Sequence, residues 1–462
     1  MSGLDTADTL HRLVKQALDS GQAGSIAEAK ALFAGYRLGL RLDEAVECDP
    51  DQQTALLTAV ALARRVFLGG VTVAARAEAP LRAPLPLGET VGEAVAALGG
   101  AVGQIPASVP LIDIGSLAQR RDRPFRIRTS FAGWRGGILP SHAERSQVAA
   151  PPMALTPMLA AALAVNEAFL FVSGSTGVAG RRQVGMSLWN PSAAYDWLRS
   201  QEDEPTLEVL PSSLWLIGLG HLGQAYLWGL SLLPYFEPNP LRLVLQDIDV
   251  ITASTESTSI LSDGTTIGQK KTRAMATWME RRGFRTSICE RLFDRHFTRH
   301  PDEPSVALCG LDNALGRQAL DQVGFDFVVE AGLGRGYQDF RAIRLHTLPA
   351  SRSAANIWQG ESTRDDLLDR PAYAGMLARG ELDRCGVTLL AGKAVGAPFV
   401  GAVAACLAIA EILRLLHGGP VHELIDVDLK APEYRSTVLT SHDFGGLNPG
   451  FVTADRMPGT GA

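Results

Sequence analysis

Three glycines, three aspartates and a lysine, spread over residues 218–312, are the side chains here best suited to handling a polyphosphate. The stretch LWLIGLGHLGQAYLWGL (214–230) is an apolar strand, then Gly218-x-Gly220-x-x-Gly223, then a helix. Gly218 permits a tight turn, Gly220 lets backbone approach phosphate, and Gly223 lets helix and strand pack closely. Phosphate would then rest on unpaired N–H groups at the positive end of the helix. Alone, this turn signals a nucleotide and no more.

The next strand, LRLVLQDIDV (241–250), ends in Asp247 and Asp249. An acid about twenty positions beyond the glycines can accept hydrogen bonds from both ribose hydroxyls. Asp247 is the expected acceptor, whereas Asp249 reads either as a second cofactor contact or as a turn cap. Nicotinamide enzymes and adenylating enzymes both place an acid here, so these residues leave the two classes open.

The stretches beyond this strand are more specific. DIDVITASTESTSILSDGTTIGQKKTRA (247–274) carries D-x-D, a polar loop and I-G-x-x-K, and VALCGLDNALGRQAL (306–320) carries D-N-x-x-x-R. In this order the motifs resemble the adenylating domain of ubiquitin-activating enzymes and their ThiF/MoeB relatives, over about 200 residues from Leu214 to Leu416. The resemblance implies that Asp247 binds ribose, that Lys271 reaches the phosphates of ATP, and that Asp312 engages Mg²⁺–ATP with Asn313 beside it. Lys270 is read as a solvated neighbour. Charge accumulates when a carboxylate attacks the α-phosphorus, and a carboxylate-held metal and a lysine offset it.

One departure is serious. Relatives carry N-x-x-R in the loop after D-x-D, and that arginine contacts phosphate; Thr255 and Thr258 stand there instead. A lost charge-assisted contact costs about 1.5–3 kcal/mol, roughly ten- to 150-fold in affinity. Arg126, Arg128 and Arg135, in FRIRTSFAGWRGG, are first-half candidates to replace it, with Arg135 also readable as an ordinary structural charge.

Five cysteines occur, at 48, 289, 309, 385 and 406, with no C-x-x-C pair, so a structural zinc site is not expected. Cys385 lies in a Gly-rich, loop-like segment before a long apolar helix, which resembles the thioester-forming cysteine of compact activating enzymes. An exposed thiol beside Arg384 would favour the thiolate a nucleophile needs. Cys406 falls inside an apolar helix, and Cys309 and Cys289 in or near strands, which reads as core. The stretch ARGELDRCG (378–386) sits where relatives run a loop that channels the C-terminus of the protein being activated.

These residues need a scaffold. At 462 residues the chain suggests two or three domains. The balance of 43 Lys+Arg against 49 Asp+Glu, with no basic block, disfavours a nucleic-acid partner. No signal-peptide pattern opens the chain, and the odd cysteine count fits reduced thiols in the cytoplasm. Two very apolar stretches, Ala154–Val172 and Ala397–Leu416, carry Glu167 and Glu411 in their middles, so they read as buried helices and not membrane spans.

Residues 6–65 read as an opening helical segment, and 66–73 and 109–115 as strands around a helix at 91–98. The polar run RSQEDEPT (199–206) marks a junction, and 441–462 a flexible tail. AAALAVNEAFLFVSG (160–174) aligns without gaps with AACLAIAEILRLLHG (404–418), six of fifteen positions being identical. Two Ala-rich helices could match by composition alone, or the chain could hold a degenerate internal duplication.

The expected architecture is therefore α/β: a Rossmann-like ThiF/MoeB adenylation domain at 207–440, preceded by a degenerate half at 1–200 that makes a pseudo-dimer. The expected function is adenylation of the C-terminal carboxylate of a ubiquitin-like protein with ATP and Mg²⁺. Thioester formation on Cys385 and hand-over to a conjugating enzyme would come next. A homodimer, a non-catalytic scaffold, a peptide-modifying adenylating enzyme and an NAD-dependent oxidoreductase remain as alternatives.

Overall fold

Strands alternate with helices along the chain and collect into two large sheets with the same wiring; the computed structural model describes residues 8–115, 123–143, 150–199, 203–359 and 370–455. The first half supplies β1 (Leu38–Leu42), β2 (Val71–Ala74), β3 (Ala101–Val102), β4 (Leu111–Ile114), β5 (Arg126–Ala132), β6 (Arg135–Pro140) and β7 (Val184–Ser187). Their spatial order is 3-2-1-4-5-6-7, parallel through β5 and antiparallel beyond.

The second half supplies β8 (Val209–Pro211), β9 (Ser213–Ile217), β10 (Arg242–Gln246), β11 (Arg285–Cys289), β12 (Val306–Cys309), β13 (Phe327–Leu333), β14 (Ala342–Leu348), β15 (His422–Asp428), β16 (Ser436–Leu439) and β17 (Phe451–Thr453). Its main sheet runs 11-10-9-12-13-14-15-16, with the parallel-to-antiparallel switch at the same place, between β13 and β14. Strand for strand, the first seven of each sheet correspond. The two halves share one topology.

The helices Thr156–Val172 and Pro398–Leu416 pack against each other at the centre. Each has proline in its first turn, where a missing N–H costs nothing. Each ends at a glycine with positive φ, Gly174 (+63°) and Gly418 (+69°), the left-handed stop that Cβ disfavours. The aligned glutamates do one job twice. Glu167 accepts from the Gly180 N–H (3.0 Å) and pairs with Arg182, while Glu411 accepts from the His422 N–H (3.0 Å) and pairs with Arg414.

Contacts between the halves are also reciprocal. Asn166 Nδ2 donates to the Leu429 carbonyl (2.9 Å), and Arg414 donates to the Leu188 carbonyl. Leu188 and Leu429 hold equivalent places, each three residues before a proline (Pro191, Pro432). The same patch thus meets itself, as in a two-fold dimer. The helix Pro398–Leu416 is apolar and long enough to cross a membrane, but 89% of its apolar window is buried inside the fold.

Three expectations need correction. Residues 6–65 are not all helix, and residues 6 and 7 lie outside the described residues. The run LGLRL forms β1, paired on both sides by β2 and β4, and its alternation spans only five residues, too short to stand out within a helical pattern about sixty residues long. Within 66–73 only residues from Val71 onward are strand, because Gly70 turns at φ +118°. In the tail, Phe451–Thr453 pairs antiparallel with Val209–Pro211, and 456–462 lie outside the described residues. Of the junction at 199–206, residues 200–202 lie outside them too, while Glu204 is tied to Arg135 of the first half.

Candidate active site

A cavity of about 610 Å³ opens at the C-terminal ends of β9, β10 and β12, where parallel sheets of this kind take ligands. Gly218, Gly220, Asp247, Asp249, Lys271, Asp312 and Asn313 all line it. Residues 94 positions apart in sequence, from Gly218 to Asp312, therefore meet in one place.

The three glycines have distinct reasons. Gly218 sits at φ +84°. A Cβ on Gly220 would meet nothing within 4 Å, because it faces the open cavity. A Cβ on Gly223 would fall 2.0 Å from the Gly218 carbonyl oxygen, so Gly223 serves the close approach of helix to turn and does not line the cavity. Gly220 caps the helix His221–Leu232 with no side-chain hydrogen bond, leaving its first-turn N–H groups toward the cavity.

The first half shows the contrast. After β1 its turn reads DEAVECD, and Asp49 caps the helix Pro50–Ala63 by accepting from the N–H groups of Asp51 and Gln52. Those donors are taken and the turn is negative, so phosphate has no seat there.

Asp247 is held within the turn. Its carboxylate accepts from the Leu219 N–H (2.7 Å) and the Asp249 N–H (2.8 Å), which fixes the second strand end against the glycine turn. Lys271 Nζ lies 2.8 Å from Asp249 and 3.5 Å from Asp247. Asp249, with its side chain 62% exposed, is the more open of the two acids. Lys271 opens the helix Lys271–Arg281, whereas Lys270 is half-buried and donates to the Ile248 carbonyl. Asn313 is occupied as the cap of a short helix, accepting from the Gly316 N–H (2.6 Å).

Among the arginines lining the cavity, Arg12 is the one bonded to the loop that lacks its own. None of the three first-half candidates lines the cavity: Arg126 pairs with Asp113 (2.7 Å), Arg128 donates to the Ala143 carbonyl, and Arg135 pairs with Glu204 (3.1 Å). Arg12 comes from the N-terminal segment. Its Nε donates to Ser254 Oγ (2.6 Å), its backbone N–H to Ser257 Oγ (3.1 Å), and Nη1 to the Ala394 carbonyl (3.2 Å). The loop that lacks its own arginine thus grips one from 242 residues away. A lone arginine in an ordinary helical stretch carries no signal that sequence reading could use. Lys271, Arg291, Arg317, Arg335 and Lys393 join Arg12, against Asp8, Asp247, Asp249 and Asp312, giving the cavity a net basic lining.

Cys385 is not in a loop. It is the second residue of the helix Arg384–Gly392, whose cap Asp383 accepts from the Gly386 N–H (2.7 Å). The acidic residue that looked like part of a crossing loop starts a helix instead. Cys385 is exposed and does not line the cavity. Burial sorts the other thiols: Cys406 and Cys309 are buried with raised pKa values, Cys309 to about 12, and half-buried Cys289 is raised too. Cys48 is exposed on the first-half turn.

Paired halves, one with an uncapped glycine turn and one without, and a D-x-D, Lys and Asp set around one cavity are the features of an E1-like protein. Residues 37–188 match the BilD N-terminal domain and residues 210–419 the BilD C-terminal domain. The bacterial E1-like protein BilD of Collimonas sp. (strain OK412) is 46% identical over 420 residues, 90% of each chain. The chain belongs to the BilD family of bacterial E1-like proteins. Among solved structures, E. coli MccB with MccA-N7isoASN is 12% identical at a TM-score of 0.35, covering 50% of this chain and 64% of that one, under two thirds of its length. TcdA (CsdL) is 13% identical at a TM-score of 0.29, covering 45% and 86%.

Proposed function

We propose that the chain is an ATP-dependent activating enzyme for the C-terminal carboxylate of a ubiquitin-like protein. The observation that carries this reading is the convergence of the uncapped glycine turn, Lys271, Asp312 and Arg12 on one basic cavity. Triphosphate would lie on the N–H groups after Gly220, with Lys271 and Arg12 balancing its charge and Asp247 or Asp249 taking the ribose hydroxyls. Ile248 and Leu292, apolar and exposed in the cavity wall, offer a face to the purine.

The donor set fits Mg²⁺ in the way nucleotide sites usually do. Among the described residues no three His, Cys, Asp or Glu gather to form a protein-only metal site. Asp312 would share the ion with phosphate oxygens, and the ion would supply charge neutralisation.

In the proposed reaction a carboxylate oxygen bonds to the α-phosphorus and the α–β anhydride bond breaks, releasing pyrophosphate. The Cys385 thiolate then attacks the acyl carbon and AMP leaves, giving a thioester for a conjugating enzyme to accept in the cytoplasm. ATP–pyrophosphate exchange with a ubiquitin-like carrier tests the first step, and carrier-dependent label exchange above background is the expected result. A second reading has one observation in its favour. Cys385 does not line the cavity, as suits an enzyme that adenylates a peptide without a thioester. Cys385→Ala separates them: under the first reading it retains exchange and loses a thiol-reducible adduct, and under the second no such adduct forms even in wild type.

A further inference from the structure

Arg12 is only as well placed as the loop that grips it, and the loop is held from the first half. Arg65, at the C-terminal end of the helix Pro50–Ala63, is 4% exposed. Its Nε donates to the Glu256 carbonyl (3.0 Å), and its Nη2 to the carbonyls of Ile260 (3.1 Å) and Ser262 (2.5 Å). Arg64 adds bonds to Glu256 Oε1 (2.7 Å) and the Ser262 carbonyl (3.1 Å). Three carbonyls spread over seven residues, from the end of the helical turn Ala253–Glu256 into the loop after it, are thereby pinned by one planar fork, which no lysine could copy. His11, the residue before Arg12, lies beside Arg65, so the arginine-bearing segment and its loop share one seat.

We propose that Arg65 is a positioning residue of the nucleotide site: it fixes the loop 254–262 and, through Ser254 and Ser257, aims Arg12 into the cavity. This rests on the ATP reading above. It also gives the half without a phosphate turn a reason to persist, as the frame for the other half's charge.

The test is equilibrium binding of ATP–Mg²⁺ and of adenosine to the full chain, in wild type, Arg12→Ala, Arg65→Gln and the double variant. Arg12→Ala should weaken ATP about ten- to 150-fold, the range for one charge-assisted contact. Arg65→Gln should weaken ATP about tenfold and leave adenosine within about twofold, because the lost contact is to phosphate. The double variant should bind no worse than Arg12→Ala, since residues acting in series are not additive. Wild-type ATP affinity in Arg65→Gln, an equal loss for adenosine, or multiplying losses in the double variant would each overturn the proposal. Wild-type protein that binds no ATP would instead overturn the nucleotide reading itself. If Arg65→Gln does not fold, Arg65→Lys enters the same cycle, with a smaller ATP-specific loss expected.

Discussion

Gly220 and Gly223 are three residues apart in one motif, yet the structure predicts opposite consequences for adding a methyl group. At Gly223 the new Cβ would sit 2.0 Å from the Gly218 carbonyl oxygen and 2.9 Å from its carbon. Both are backbone atoms, so relief requires moving the helix His221–Leu232 off β9. Overpacking of this kind costs about 3 kcal/mol. At about 2–4 °C per kcal/mol for a unit of this size, Gly223→Ala should melt roughly 6–12 °C below wild type. At Gly220 the Cβ meets nothing within 4 Å, and φ is −81°, so Gly220→Ala should hold its stability to within about 0.5 kcal/mol. The methyl would instead occupy the space that phosphate needs, and ATP affinity should fall at least about tenfold. Differential scanning calorimetry and ATP titration on both variants read the two effects. A Gly223→Ala protein that melts with wild type, or a Gly220→Ala protein with full ATP affinity, would refute the geometric argument.

Removing the Glu411 carboxylate by Glu411→Leu leaves Arg414 buried without its partner and should cost about 3–5 kcal/mol by urea unfolding. Burial, with Arg65 beside the first, lowers His11 and His221 to about 4, so both are neutral in the folded state at pH 6 and above. Folded pKa values below the unfolded 6.5 give stability that is complete above pH 6.5 and is lost as pH falls toward 4; the urea midpoint should drop across that window, and His221→Asn should flatten the drop. Under native conditions an alkylating reagent read by mass spectrometry should mark Cys48 and Cys385 first and leave Cys309 and Cys406 unmarked until the chain unfolds. Early labelling of Cys406 would contradict the burial of the central helix.

Local chemistry made part of the site legible in the sequence. The glycine turn, the D-x-D pair and Asp312, three residues beyond β12, each need particular residue types at fixed offsets, and the structure brings them to one cavity. The shared topology showed only in the central helices because both halves need the same buried glutamate to hold the next segment and the same glycine to stop the helix. Elsewhere the first half has lost its phosphate turn to DEAVECD, and nothing in its sequence then points to a twin. β1 was hidden among helices because its alternation of Leu38, Leu40 and Leu42 covers only five residues. Arg12 was out of reach for a different reason. Its role comes from tertiary contacts with Ser254 and Ser257, and no periodicity encodes a partner 242 residues distant.

The central claim is that one triphosphate sits among the Gly220 turn, Lys271, Asp312 and Arg12. A crystal structure of the full chain with a non-hydrolysable ATP analogue and Mg²⁺ tests it most directly. The account predicts phosphate oxygens within hydrogen-bond distance of the first-turn N–H groups after Gly220 and of Lys271 Nζ, with Mg²⁺ beside Asp312. A nucleotide bound at another face, or a cavity that stays closed to millimolar analogue, would contradict it.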